Sequence, residues 1–374
     1  MQIDNDYCER YCIYEKTFNT EKCTDQIFVD CVIGPKTAIQ EGPLLAVTVF
    51  TVLLMLIGVL GNIAVCIVII KHPSMRTNTN RYLFSLAIND LLLLIFGVPS
   101  DIWKYYNAYG YTLGLFYCKM TTFLLDMTSY CSVLTVVSFS LERYFAICHP
   151  IRSHTTRKRP SPVLILCIIW ALSTVYAMPL TWKTDIISDV KYPHTNRWLK
   201  EADQCNLPSE SREGDGNDWM NVYFKVTSVI FFVIPMVVLM AVYIQIGMAI
   251  RKRGFRNENG NIRSNVRTSR GTIRLLIAVV VSFFICWAPF HYQRIFNYAL
   301  SHEEARKLYV ITGCFYYLSA ALNPILYSVI SRKYRTAFKE VLFRDRNSSR
   351  EQDSCLKEYT RNNITSETRI TGPI

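Results

Sequence analysis

Seven apolar runs separated by polar connectors set the pattern of this chain, at residues 43–70, 82–98, 120–147, 163–180, 222–250, 272–290 and 309–330. A helix rising about 1.5 Å per residue needs about 20 apolar residues, roughly 17 to 25, to cross a hydrocarbon core of about 30 Å. Each run meets that length. The pattern therefore predicts an all-α protein, a seven-transmembrane helix bundle occupying residues 43–330. Residues 331–344 then read as a short amphipathic eighth helix on the membrane surface, with Tyr334, Phe338, Val341 and Leu342 as its apolar side. Residues 1–42 form a cysteine-containing tail. Residues 345–374 are polar and Ser/Thr-rich, a composition that predicts disorder.

The third run links both ends of the bundle. From Cys118 to Arg143 the chain takes 25 residue steps, which as a helix cover about 37 Å, more than the apolar core. One helix can thus hold Cys118 at one face and Arg143 at the other, with a single acid, Asp126, stranded among apolar residues.

Composition agrees with a membrane protein: of 374 residues 51% are hydrophobic and 19% charged, and the mean hydropathy is +0.16. A formal charge of +12 in a soluble chain suggests nucleic-acid binding, but here the basic residues sit in alternate connectors. Lys71, Arg76 and Arg81 follow the first run, Arg152, Arg157, Lys158 and Arg159 the third, Arg251, Lys252, Arg253 and Arg256 the fifth, and Arg332, Lys333, Arg335 and Lys339 the seventh. By the positive-inside rule those connectors are cytoplasmic. The expectation is a multi-pass plasma-membrane protein in contact with lipids, its N-terminus extracellular and its C-terminus cytoplasmic, with no nucleic-acid partner. The opening MQIDNDYCER has no apolar h-region, so no cleavable signal peptide is expected and the first helix serves as signal anchor. Cys8, Cys12, Cys23 and Cys31 crowd the outer tail, where two disulfides can form by any of three pairings. The sequons at Asn347 and Asn363 fall on the cytoplasmic side and should stay unmodified. For Cys355, palmitoylation and no role at all are both open.

Several polar residues inside the runs carry candidate chemistry. Asn62 in the first helix reads as an interhelical hydrogen-bond donor. Asp90 in the second lies near the bilayer midplane, where a carboxylate must be paired, hydrated, bound to a cation or protonated. Asp101 follows 11 residues later, close to three turns, so the two acids share a stripe that Pro99 distorts. The polar connector between the fourth and fifth runs contains Cys205. Cys118 is the other cysteine at the outer surface beyond the tail, so a Cys118–Cys205 disulfide is predicted, pinning that loop over the third helix. On the sixth helix Phe283, Trp287, Phe290 and Arg294 fall within about a 60° arc, an aromatic column climbing to one cation. Arg294 either turns into the outer cavity or snorkels to the headgroups. The seventh helix ends in Asn323-Pro324 and then Tyr327, a deformable point near the inner face.

Together, Gly61-Asn62, LAIND in the second run, Cys118 with Cys205, Glu142-Arg143-Tyr144, Trp170, Pro235, Tyr243, FFICWAP and NPILY resemble the rhodopsin-like G-protein-coupled receptors, with Glu142 where many relatives have Asp. The resemblance implies a receptor that acts on a heterotrimeric G protein, of the Gq class, and meets arrestin through its C-terminal tail. It implies that Arg143 pairs with Glu142 at rest and swings towards Tyr243 and the G protein when active. By the same resemblance Val133, Pro235, Phe283 and Trp287 form a packing switch, and Asp90, Ser132 and Asn323 hold an allosteric sodium ion; no other cofactor is expected.

Within that family, Leu125 stands where amine receptors carry an acid, which argues against an amine ligand. Asp126 with PFHYQR, Pro289 to Arg294, resembles the neuromedin U, ghrelin and motilin receptor group, and Asp101 in GVPSDIW resembles the neuromedin U receptors in particular. The implied ligand is an extracellular neuropeptide, amidated and basic near its C-terminus, contacting Asp101, Asp126, Phe290, His291 and Arg294. Both acids are Asp where relatives have Glu, which widens the pocket by a methylene at each. An internal Asp126–Arg294 salt bridge is the alternative to direct contact, and a ligand can compete for it. Acidic residues of the tail would steer a cationic peptide inward. A different class of reading is a transporter or proton channel using Asp90, Asp126 and Arg294 as a relay. It predicts internal repeats that the chain lacks. No HExxH, GxSxG, Walker or dinucleotide pattern supports an enzyme.

Overall fold

The computed structural model describes residues 29–31, 36–37, 41–149, 160–188, 190, 198–206, 219–256, 263–296, 300, 302–330 and 332–342. The expectations for Cys8, Cys12, Cys23, Asn347, Cys355, Asn363 and the C-terminal tail lie outside these residues. Among the described residues eight helices of 11 residues or more follow in order: α1 (Glu41–Lys71), α2 (Asn78–Tyr106), α3 (Gly114–Cys148), α4 (Pro162–Lys183), α5 (219–256), α6 (Arg263–Phe296), α7 (His302–Ile330) and α8 (Arg332–Leu342). Among the described residues α1 to α5 and α7 are long and apolar enough to cross a membrane. α6 carries the sixth apolar run and is 34 residues long. The helices outrun the apolar segments because their polar end turns reach past the hydrocarbon, where caps and water satisfy the backbone. Thr77 caps α2 by accepting from the Asn80 amide, and Ser161 caps α4 through the Leu164 amide with Pro162 in the first turn.

Two π turns mark where prolines enter helices. Residues Leu93–Gly97 precede Pro99 in α2, and Val229–Val233 precede Pro235 in α5. A proline ring collides with the carbonyl four residues back, here Ile95 and Phe231, and both lie inside a π turn that opens the backbone there.

The helices close into a ring in which α1 packs on α2 and α7, α5 on α6, and α6 on α7, while α3 runs through the middle against α2, α4 and α5. Close approach of α1 to α7 and α2 depends on glycine: a Cβ at Gly61 would sit 2.8 Å from Pro324 of α7, and one at Gly58 2.5 Å from Leu94 of α2 and 3.3 Å from the Ala321 backbone of α7. Asn62 is buried and donates to the Ala320 carbonyl at 3.2 Å, the interhelical bond expected of it. Large apolar side chains such as Leu60, Val175, Ile244 and Val329 are exposed around the bundle, an arrangement that only lipid makes favourable.

One element departs from the all-α expectation. Strands β1 (Asp185–Ser188) and β2 (Asp203–Asn206) pair antiparallel, with Ile186 opposite Cys205. Four-residue strands are marginal alone. The Cys118–Cys205 disulfide ties β2 to α3, and Val29, Tyr109, Val190, Leu199 and Ala202 form a small apolar cluster beside it. Cys31 is disulfide-bonded as well. The end of the bundle carrying this hairpin is called outer below. At the other end α8 lays Tyr334, Ala337, Phe338 and Val341 against α1 and α7, so its apolar side serves the bundle.

Candidate functional site

The outer layer is built around Asp126 on α3 and Arg294 on α6. Arg294 Nη2 donates to Asp126 Oδ1 at 2.5 Å, and the two side chains are only 12% and 6% exposed, Arg294 and Asp126 respectively. Arg294 therefore turns inward and does not snorkel. Its guanidinium lies between the rings of Phe224 and Phe290, 4.9 and 4.8 Å from their centroids. Tyr130 joins both partners, donating to Asp126 Oδ2 and accepting from Arg294 Nη1, each at 3.4 Å. A charge pair this buried offsets desolvation only through such additional contacts. Chemically it is a matched acid and base that a ligand bearing either group could enter by exchange.

Asp101 occupies different surroundings from those expected of an open ligand contact. It is 4% exposed, and both oxygens are engaged by α7: Tyr309 donates to Oδ1 at 2.5 Å and Tyr317 to Oδ2 at 2.7 Å. Lys104 stands 4.0 Å from Oδ1. Asp90 also faces α7, so the shared stripe of the two acids survives the π turn between them. His291 is buried against Phe232, its Nδ1 3.0 Å from Ser228 Oγ, while its Nε2 has no hydrogen-bond partner among the described residues. In the outer loop, burial pushes the Tyr111 hydroxyl up to about 12.

Below, the aromatic column of α6 is continuous. Phe283 stacks on Trp287 at 5.4 Å, and Trp287 meets Phe290 edge-on at 5.8 Å. Val133 is buried in the same cluster. Beneath Trp287 a small cavity, with room for about one water-sized sphere, is lined by Asp90, Ser132, Ser282, Ser319 and Asn323. Asn323 donates to Asp90 Oδ2 at 2.8 Å, and Asn89 donates to Ser132 Oγ. A carboxylate with hydroxyl and amide oxygens is a hard donor set that fits a cation such as sodium.

At the inner end Arg143 Nη2 contacts Glu142 Oε1 at 3.1 Å and also binds the Thr79 hydroxyl. Tyr243 pairs with Ser140 at 2.9 Å, and Tyr144 donates to Gln245 at 2.7 Å. Tyr327 is buried, 6.1 Å from the Tyr334 ring. Pro324 lies within α7, and Pro235 is buried in α5. The sequence-derived residues thus fall into three layers stacked along α3, α6 and α7. The sequence alone does not mark Tyr130, Phe224, Tyr309, Tyr316, Tyr317, Ser282 or Ser319 as members of these layers. The tyrosine pair in GCFYYLSAALNP was their one visible signal; the others look like ordinary lining until the helices are assembled.

Residues 61–327 match the family described as 7 transmembrane receptor (rhodopsin family). Among curated proteins, neuromedin-U receptor 2 of Rattus norvegicus is 34% identical over 321 residues, covering 83% of this chain and 77% of the relative. A neuromedin U receptor homolog of Caenorhabditis elegans is 33% identical over 78% of this chain and 77% of its own length. The pyrokinin-1 receptor of Drosophila melanogaster is 31% identical, with 79% of each chain covered. The layered motifs, the membrane-spanning helices and these matches identify the chain as a signalling receptor and not an enzyme: it belongs to the rhodopsin family of G-protein-coupled receptors, in the neuromedin U receptor group.

Proposed function

We propose that this receptor binds an extracellular neuropeptide, amidated and basic near its C-terminus, and passes the event to a heterotrimeric G protein of the Gq class, with the N-terminus outside the cell. The observation that carries the reading is the buried Asp126–Arg294 pair, clamped between Phe224 and Phe290 directly above the Trp287 column. An arginine of the peptide competes for Asp126, while its C-terminal amide carbonyl can accept from Arg294. Asp101 contributes only if the ligand displaces the Tyr309 or Tyr317 hydroxyl. The names of the neuromedin U and pyrokinin receptor relatives support a peptide of this kind.

Separating Arg294 from Asp126 disturbs Phe290 and then Trp287, which roofs the Asp90 cavity. When bound there, sodium supplies a fixed positive charge that compensates the buried carboxylate, and Asp90, Ser132 and Asn323 would hold it. Glu142 holds Arg143 at rest, and its release towards Tyr243 exposes the inner face to the G protein, with the C-terminal tail left to engage arrestin. The test is a calcium or nucleotide-exchange assay of the expressed receptor against a panel of amidated peptides, with ghrelin-like and amine ligands as controls. Responses confined to peptides carrying a C-terminal-region arginine support the reading. A response to an amine alone, or equal potency of the free-acid peptides, overturns it.

A further inference from the structure

Tyr316 of α7 is 4% exposed and lies where α3, α6 and α7 meet. Its ring stacks on Phe290, with centroids 5.0 Å apart and planes 9° from parallel, and meets Trp287 edge-on at 5.2 Å. Its hydroxyl reaches across to α3, 2.8 Å from the Leu125 carbonyl and 2.5 Å from Ser129 Oγ. Ser129 also donates to the Leu125 carbonyl at 2.6 Å. Thr128 donates to the same carbonyl at 3.1 Å, so three hydroxyl protons are shared among four oxygens in a buried site immediately beside Asp126. The contacts close into a ring: Asp126 to Arg294, Arg294 over Phe290, Phe290 on Tyr316, and Tyr316 back to α3.

We propose that Tyr316 is a positioning residue that joins the Asp126–Arg294 pair to Trp287, and that its hydroxyl contact with Leu125 and Ser129 is a brake holding α7 to α3 at rest. Stacked rings tolerate sliding, whereas short hydroxyl contacts are directional and buried ones are costly to leave unmade. When Arg294 leaves Asp126, Phe290 loses its cationic face. Tyr316 must then follow Phe290 and break from α3, or stay and lose the stack. Either way the arrangement changes discretely, as a two-state element requires. In this structure the brake is set together with the Glu142–Arg143 pair, which assigns it to the resting side.

The inference rests on the proposed route from pocket to inner face, yet its test needs no peptide. Ligand-independent nucleotide exchange is measured on a panel of heterotrimers in membranes matched for surface receptor. Tyr316→Phe keeps the ring and removes the hydroxyl. Loss of one hydrogen bond of ordinary net strength shifts a two-state ratio by about three- to tenfold, so basal exchange should rise about threefold or more. Ser129→Ala should raise it in the same direction, and the double variant no further than the larger single one, because the two share one contact. Basal exchange in Tyr316→Phe that is unchanged or lower, or fully additive effects in the double variant, overturns the brake. Failure of every amidated peptide would overturn the ligand assignment and leave this result standing.

Discussion

A carboxylate inside a membrane protein has few stable arrangements, and Asp126 shows one of them. Its partner is Arg294 at 2.5 Å, and removing either leaves the other buried without compensation, typically a cost of about 3–5 kcal/mol. If the peptide meets this carboxylate, Asp126→Ala should lower its potency at least about tenfold, equivalent to about 1.4 kcal/mol. The check is a dose–response curve at matched surface level; an unshifted curve would mean that the ligand does not use Asp126. The acid itself was legible in the sequence because a lone charge in an apolar run needs an explanation. Tyr130 and Phe224 were not, since an aromatic residue in a membrane helix is ordinarily packing, and only the approach of α5 and α6 to α3 gives these two a polar task.

At the scale of elements, α3 and the outer hairpin form one unit. The polar loop gave no sign of strands, because four residues on each side carry too little alternation to register and depend on anchorage from elsewhere. That anchorage is the Cys118–Cys205 bond, which joins residues 87 apart in sequence. Such links are commonly worth about 2–4 kcal/mol. Cys205→Ser is therefore expected to lower the thermal denaturation midpoint of the solubilised receptor and to weaken peptide potency. A midpoint equal to that of the parent protein would show that the hairpin stays in place through the Val29, Tyr109 and Leu199 cluster alone. Pro99 and Pro235 were legible as irregularities, but the form they take, a π turn around the opposed carbonyl, depends on what the widened turn packs against.

Across the whole molecule, the polar cavity beneath Trp287 lies between the Asp126–Arg294 layer and the Glu142–Arg143 layer. Asp90 of α2 faces Asn323 of α7 there, and Ser132 of α3 and Ser282 of α6 share the wall, so the cavity touches four helices. If sodium occupies it, the ion stabilises the arrangement it fits and lowers agonist affinity by linkage. Asp90→Asn preserves the side-chain shape and removes the charge, so agonist affinity in that variant should no longer change when sodium replaces a bulky organic cation at constant ionic strength. A sodium effect persisting in Asp90→Asn would exclude this cavity as the cation site.

Some of this was decided by the chain alone. Seven apolar runs of bilayer length compel seven helices, because unpaired backbone groups are too costly in hydrocarbon for any open alternative, and alternating basic connectors bias their direction. The order of Asn62, Asp90, Glu142-Arg143-Tyr144, Trp287 and Asn323-Pro324 along those helices was sufficient to suggest the family. Partnership was decided only in three dimensions. Whether Arg294 snorkelled or paired, whether Asp101 stood open or was held by Tyr309 and Tyr317, and whether Tyr316 was lining or link all depend on the rotation of one helix against another. That rotation is set by close contacts such as those at Gly58 and Gly61 and by the π turns, where one added residue in a turn redirects every side chain beyond it.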